Sequence, residues 1–198
     1  MDTAKIDLKV YAASTGNGSG ASGLELDRLI PVFHRWIKES RLVELPIDVV
    51  DYSHVPDGPG VLLVCHDAQY GVEGGDGELG LLYSRRRETH PSLGGIATLE
   101  DRIESVFERA LAACARLQIE ASLGGRLRFP SDHFLLRVND RRIGEESFGD
   151  LSTALHSFFA RLLPQTEVSI EVATEAGRVA ARISVAGQPG ATALSQRL

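Results

Sequence analysis

Residues 47–70 read IDVVDYSHVPDGPGVLLVCHDAQY, and this stretch decides the fold. Two strand-length runs, Ile47–His54 and Val61–Tyr70, flank Val55-Pro56-Asp57-Gly58-Pro59-Gly60, a connector dense in turn formers. The pair is expected to form a β-hairpin. Val61-Leu62-Leu63-Val64 is apolar at every position, so both its faces should be covered, as in a central strand. A glycine-rich loop from Gly71 to Gly77 then leads to Leu79–Tyr83, the third strand of a meander.

Upstream, Ile6, Leu8 and Val10 alternate with Asp7 and Lys9, the period of a strand with one wet face. Leu26, Leu29, Ile30, Phe33 and Ile37 follow at spacings of three and four, which makes one apolar helix face. Pro31 must sit in the first turn of that helix or kink it. Downstream, Thr98 and Asp101 have the spacing of a capping box ahead of Leu99, Ile103, Val106, Phe107, Ala110, Cys114 and Leu117. Strands are expected around Leu127–Phe129 and Phe134–Val138. A third helix is expected from near Ser147, with Leu151, Leu155, Phe158, Phe159 and Leu162 inward and Pro164 past its end. Val168–Val172 and Val179–Val185 should close the chain as a hairpin turned at Glu175-Ala176-Gly177.

These elements give an α+β fold, with about three main helices on a mixed, mainly antiparallel sheet. Residues 1–187 are expected as a single compact domain. It is read either as one unit or as two fused β-α-β-β halves, 5–95 and 126–187, linked by the 98–118 helix, and 188–198 is expected as a flexible tail. The order strand, helix, strand, strand occurs twice, although few residues match between the copies.

With 43% hydrophobic and 24% charged residues the composition is that of an ordinary globular chain. A net charge of −6, from 21 basic and 27 acidic residues, argues against duplex DNA as a partner. Cys65 and Cys114 lie in apolar settings and read as buried thiols in a reducing compartment. No apolar stretch after Met1 resembles a signal peptide, and none approaches the roughly 18 residues of a membrane span, so a cytoplasmic protein is expected.

Candidate chemistry concentrates in the first hairpin, where Asp48, Asp51, Tyr52, His54, Cys65, His66, Asp67 and Tyr70 interrupt apolar strands. Each buried polar group needs a partner or access to water. With Pro56 to Pro59 as the turn, His66 faces Val49 and Asp51 lies one diagonal step away on the same face, with His54 and Asp67 on the other. A carboxylate beside His66 would raise its pKa and fix its tautomer, which suits a general base oriented by Asp51. A one-residue slip would group Asp51 with Cys65 and Asp67 instead. No tight His/Asp/Glu repeat indicates a metal, no cofactor is assigned, and no serine sits in a nucleophile elbow.

Arg85 and Arg87, on one face of a strand end, could clamp an anionic ligand, and Tyr70 is a further candidate ligand contact. The loop 14–23 joins a strand to a helix and contains Gly18, Gly20 and Gly23 at G-x-G-x-x-G spacing. Val10-Tyr11-Ala12-Ala13-Ser14-Thr15-Gly16-Asn17-Gly18-Ser19 resembles the phosphate-binding loop of flavodoxins. That resemblance implies flavin phosphate contacts from Ser14, Thr15 and Asn17. It covers about ten residues, since flavodoxins continue as alternating strands and helices and this chain enters a meander.

Three functions follow in order of expectation. The first is a small cytoplasmic binding or assembly protein, homo-oligomeric, that uses sheet edges or apolar helix surfaces. The second is an enzyme on a small anionic metabolite, with His66 as base or ligand, Asp51 as orienter, His54 and Asp67 accessory, and Arg85 and Arg87 on the anion. The third is a flavin- or nucleotide-binding protein that uses the 14–23 loop.

Overall fold

The computed structural model describes residues 5–13, 25–55, 58–86 and 98–198. Eight strands form one sheet: β1 (Ile6–Tyr11), β2 (Pro46–Tyr52), β3 (Gly60–Cys65), β4 (Ala68–Glu73), β5 (Gly80–Arg85), β6 (His133–Val138), β7 (Val168–Glu175) and β8 (Arg178–Val185). Their order is β2-β3-β4-β5-β1-β6-β8-β7, and every pairing is antiparallel. The helices are α1 (Leu29–Lys38), α2 (Leu99–Gln118), α3 (Phe148–Leu162) and a short α4 (Ala191–Ser195). The expected α+β architecture is what the molecule has.

Strand alternation separates two faces. Ile6, Leu8 and Val10 of β1 enter the core together with Tyr83, Leu81, Leu136 and Phe134 from its neighbours, while Asp7, Lys9 and Tyr11 point the other way. All three long helices cover the first face: α1 lies over β2 and β3, α2 over β1 and β5, and α3 over β7 and β8. Helix α2 starts where expected, since Thr98 Oγ1 accepts from the Asp101 amide (3.1 Å) and Asp101 Oδ2 accepts from the Thr98 amide (2.8 Å). Pro31 sits in the first turn of α1, where its missing N–H costs nothing. The buried stripe of α1 is Leu29, Val32, Phe33 and Trp36, with Ile30 and Ile37 at its margins.

Four expectations are corrected. The run Val61–Tyr70 is not one strand, because His66 and Asp67 form the turn between β3 and β4, and both their backbones are used by neighbours: the His66 amide donates to Leu45 (3.0 Å), and the Asp67 carbonyl accepts from Arg86 (2.8 Å). Leu127 to Phe129 is no strand, though Leu127 and Phe129 are buried and the Phe129 amide is held by Gln118 Oε1 at 2.7 Å. The stretch expected as a flexible tail contains α4, whose Ala191 and Leu194 are fully buried and which packs on α2. The two candidate β-α-β-β halves are not equivalent in their strand pairing. In the second, β8 returns to pair with β6, while in the first the β4–β5 hairpin separates β3 from β1. Pairing of β1 with β6 joins them into one sheet.

The sheet ends on β2 and β7, and the two edges differ. β2 carries Pro46, a register shift between Pro46 and Asp48, and Asp51, devices that discourage another strand from pairing. β7 pairs with β8 over all of Val168–Glu175 without a break and contains no proline.

Candidate functional site

The first hairpin does not assemble the expected pair. Tyr52 faces Gly60 and Asp51 faces Val61, so the connection is longer than the Pro56–Pro59 turn allowed for, and Pro46 faces Cys65. His66 therefore lies by Leu45, five positions from Val61, or about 17 Å along the strand at about 3.4 Å per residue. Asp51 and His66 occupy opposite ends of the hairpin. Asp51 caps its own turn, accepting from the Ser53 amide at 2.8 Å, and bonds from the Ser53 hydroxyl and backbone hold its carboxyl below the usual range. His54 is exposed in that same turn. His66 Nδ1 instead meets Asp67 Oδ1 at 2.8 Å, with the imidazole more than half exposed.

Tyr70 and Arg85 are also placed differently from the anion-clamp reading. Arg85 is buried on the helix face, and its Nη1 donates to the Arg102 carbonyl of α2 at 3.3 Å. Tyr70 is buried and donates to Glu44 Oε2 at 2.8 Å, while Tyr83 donates to Glu44 Oε1 at 3.1 Å. Arg109 Nε of α2 lies 3.6 Å from the same carboxylate. Glu44 is thus a buried anion matched by two phenols and a guanidinium. Burial, then the Glu44 charge, pushes the Tyr70 and Tyr83 hydroxyls above their ordinary pKa, so both remain protonated donors. Burial, with Glu44 and Asp67 adding to it, pushes the Cys65 thiol up to about 12, and burial raises Cys114. Neither cysteine has the thiolate character of a nucleophile. Arg87, Ser14, Thr15 and Asn17 lie outside the described residues.

On the sheet face away from the helices, Lys9 is buried, with Nζ 2.8 Å from Glu73 Oε1 and also paired to Asp76. Tyr11 donates to Asp76 Oδ2 (2.8 Å), and its ring lies 5.1 Å from the lysine nitrogen. Burial would raise the Asp76 carboxyl, but hydrogen bonds from Lys9 and Tyr11 outweigh it and hold the group low. These charges satisfy one another and tie β1 to the β4–β5 turn. No group of three His, Cys, Asp or Glu able to hold a metal occurs among the described residues, and no described helix is long and apolar enough to cross a membrane.

A cavity of about 240 Å³ lies between α3 and the edge strand β7. Phe159, Ala160 and Leu163 form one wall, and Thr166, Val168 and Ile170 the other. Pro164, just past the helix, and the exposed His156 also line it, with His156 Nδ1 2.8 Å from the Ser152 carbonyl. The volume is below the roughly 300–1,000 Å³ of most small-molecule sites and suits an aliphatic side chain or two.

The backbone of β7 completes this site. The β7–β8 hairpin turns through Ala176 (φ 49°) and Gly177 (φ 72°), both left-handed, as in a two-residue type I′ loop. Such a loop closes on a hydrogen-bonded pair, Glu175 with Arg178, and bonded pairs then recur at every second residue. The bond from the Ala186 amide to the Glu167 carbonyl (2.9 Å) continues the same phase. Odd-numbered β7 residues therefore spend their amides and carbonyls on β8. Those of Val168, Ile170, Val172 and Thr174 point to the free edge, where no described strand pairs with them. Of these, Val168, Ile170 and Val172 direct their side chains toward the core beneath α3.

The sequence alone placed Phe159 and Leu162 inward on a helix and Val168 and Ile170 in a closing hairpin, and did not reveal this groove. The available signal was a strand of alternating apolar residues without proline, shortly after a helix stopped by Leu163-Pro164. Against known proteins, no family model, curated protein or solved structure matches the chain.

Proposed function

We propose that this is a binding protein that takes up an extended segment of another polypeptide along β7, adding a ninth strand to the sheet. What carries the reading is the coincidence of an edge left unpaired among the described residues with an apolar cavity beside it. Backbone groups of Val168, Ile170, Val172 and Thr174 supply hydrogen bonds that any extended chain can satisfy. The cavity wall of Phe159, Ala160 and Leu163 receives alternate side chains and gives selectivity. An enzyme centred on His66 and Asp51 draws no support from the hairpin register, which holds the two residues apart.

The test uses peptides enriched on the wild-type protein from a random-sequence display library. Ala160 is exposed and lines the cavity, so Ala160→Trp fills the groove while leaving the core intact. Enriched peptides are expected to bind the variant about tenfold or more weakly, at unchanged melting temperature. Equal binding to both proteins would remove the groove from the function.

Assembly of this chain with its own copies is a second reading, favoured by one observation. Val43, Leu45 and Ile47 are 66%, 70% and 58% exposed at alternate positions leading into β2. Such apolar clustering at a surface is a feature of subunit interfaces.

A further inference from the structure

We infer that the segment bound along β7 alternates apolar residues with lysine or arginine; this rests on the β7 docking reading above. Side chains of an added strand alternate between the two sheet faces, as those of β7 do. One set falls into the groove against Phe159, Val168 and Ile170. The other set lands on the open face beside the odd-numbered residues of β7, where Glu167, Glu171 and Glu175 stand in one row.

Those carboxylates are not equally engaged. Glu175 binds Arg182, with Nε at 2.6 Å and Nη2 at 3.1 Å. Arg182 sits directly across from Glu171, yet its guanidinium turns to Glu175. Glu171 and Glu167 are both exposed and have no ion-pair partner among the described residues. An incoming strand therefore meets two unmatched negative charges four residues apart on one face. Opposite charges set across from one another on neighbouring strands attract, and like charges repel. A basic residue at every second or fourth position, with valine- or leucine-like residues between, complements both surfaces at once.

The same row of charge argues against a second copy of this chain as the occupant. Antiparallel self-pairing of β7 would bring another Glu167, Glu171 and Glu175 onto the same strip in every register. Centred on Glu171, it would set Glu171 against its own copy and Glu167 against Glu175. The overall charge of −6 acts in the same direction.

Three synthetic octapeptides test the inference: alternating valine–lysine, valine–serine and valine–glutamate, each titrated into isotopically labelled protein at low salt while the backbone amides are followed by NMR. The valine–lysine peptide is expected to shift the amides of Val168–Thr174 and to bind about tenfold more tightly than valine–serine, with valine–glutamate weakest. In a protein carrying Glu167→Lys and Glu171→Lys the order should invert, and both substitutions are exposed, so folding should survive them. Equal affinity of the lysine and serine peptides at β7 would overturn the charge inference and leave strand docking standing. Shifts scattered over the acidic surface, away from β7, would also overturn it. Failure of all three peptides to reach β7 would overturn both readings.

Discussion

Replacing Glu44 with alanine is expected to lower the stability of the protein by about 3–5 kcal/mol, the usual cost of removing one partner from a buried ionic cluster. Its side chain is only 4% exposed and accepts from Tyr70 at 2.8 Å and Tyr83 at 3.1 Å. Truncation would leave two buried phenols without acceptors and Arg109 without its carboxylate. The two rings pack against each other at 4.9 Å between centroids, so neither hydroxyl can swing out to water without breaking that contact. Glu44→Gln should lose less, because its amide oxygen still accepts one of the bonds. Urea denaturation with fluorescence and circular dichroism measures both variants. A loss below about 1 kcal/mol for the alanine variant would mean that the cluster contributes no more than an exposed pair does.

A comparable loss, about 3–5 kcal/mol, is expected for Phe107→Ala. Phe107 is fully buried on α2, with ring centroids 5.3 Å from Phe134, 4.9 Å from Phe158 and 5.4 Å from Phe159. It is where α2, the central strand β6 and α3 meet. Deleting the ring opens a cavity at that junction, and the rigid strands beneath cannot collapse to fill it. Phe107→Leu, which keeps most of the volume, should recover more than half of the loss. Phe159 also forms a wall of the groove on β7, so Phe107→Ala should weaken peptide binding even under conditions where the variant remains folded. Loss of stability with unchanged peptide affinity would show that the groove wall is held by other contacts.

The sequence was informative wherever a local period survives. Thr98 and Asp101 announce α2, the spacing of Leu151, Leu155, Phe158 and Phe159 marks the buried stripe of α3, and the valines of β7 and β8 alternate as a hairpin requires. Register was not legible. The loop between Tyr52 and Gly60 is longer than its proline and glycine content suggests, and that alone separated Asp51 from His66. The apolar period around Val61–Tyr70 concealed a turn whose only signal was the polar pair His66-Asp67. Glu44 was missed because its neighbours mislead. Val43 and Leu45 are exposed while the carboxylate between them turns inward, a reversal that only the distant Tyr70, Tyr83 and Arg109 can stabilise. Which strand forms an edge depends on the pairing of β1 with β6, a contact across more than a hundred residues that no local pattern encodes.

The most direct measurement is residue-resolved amide hydrogen exchange of β7, with and without a saturating library-selected peptide. In the free protein Ser169, Glu171 and Ala173, bonded to β8, should exchange slowly, and Val168, Ile170, Val172 and Thr174 rapidly. With peptide bound, the even-numbered amides should slow by about tenfold or more, and the odd-numbered ones should change little. Even-numbered amides that stay fast while the peptide is fully bound would contradict strand addition at β7.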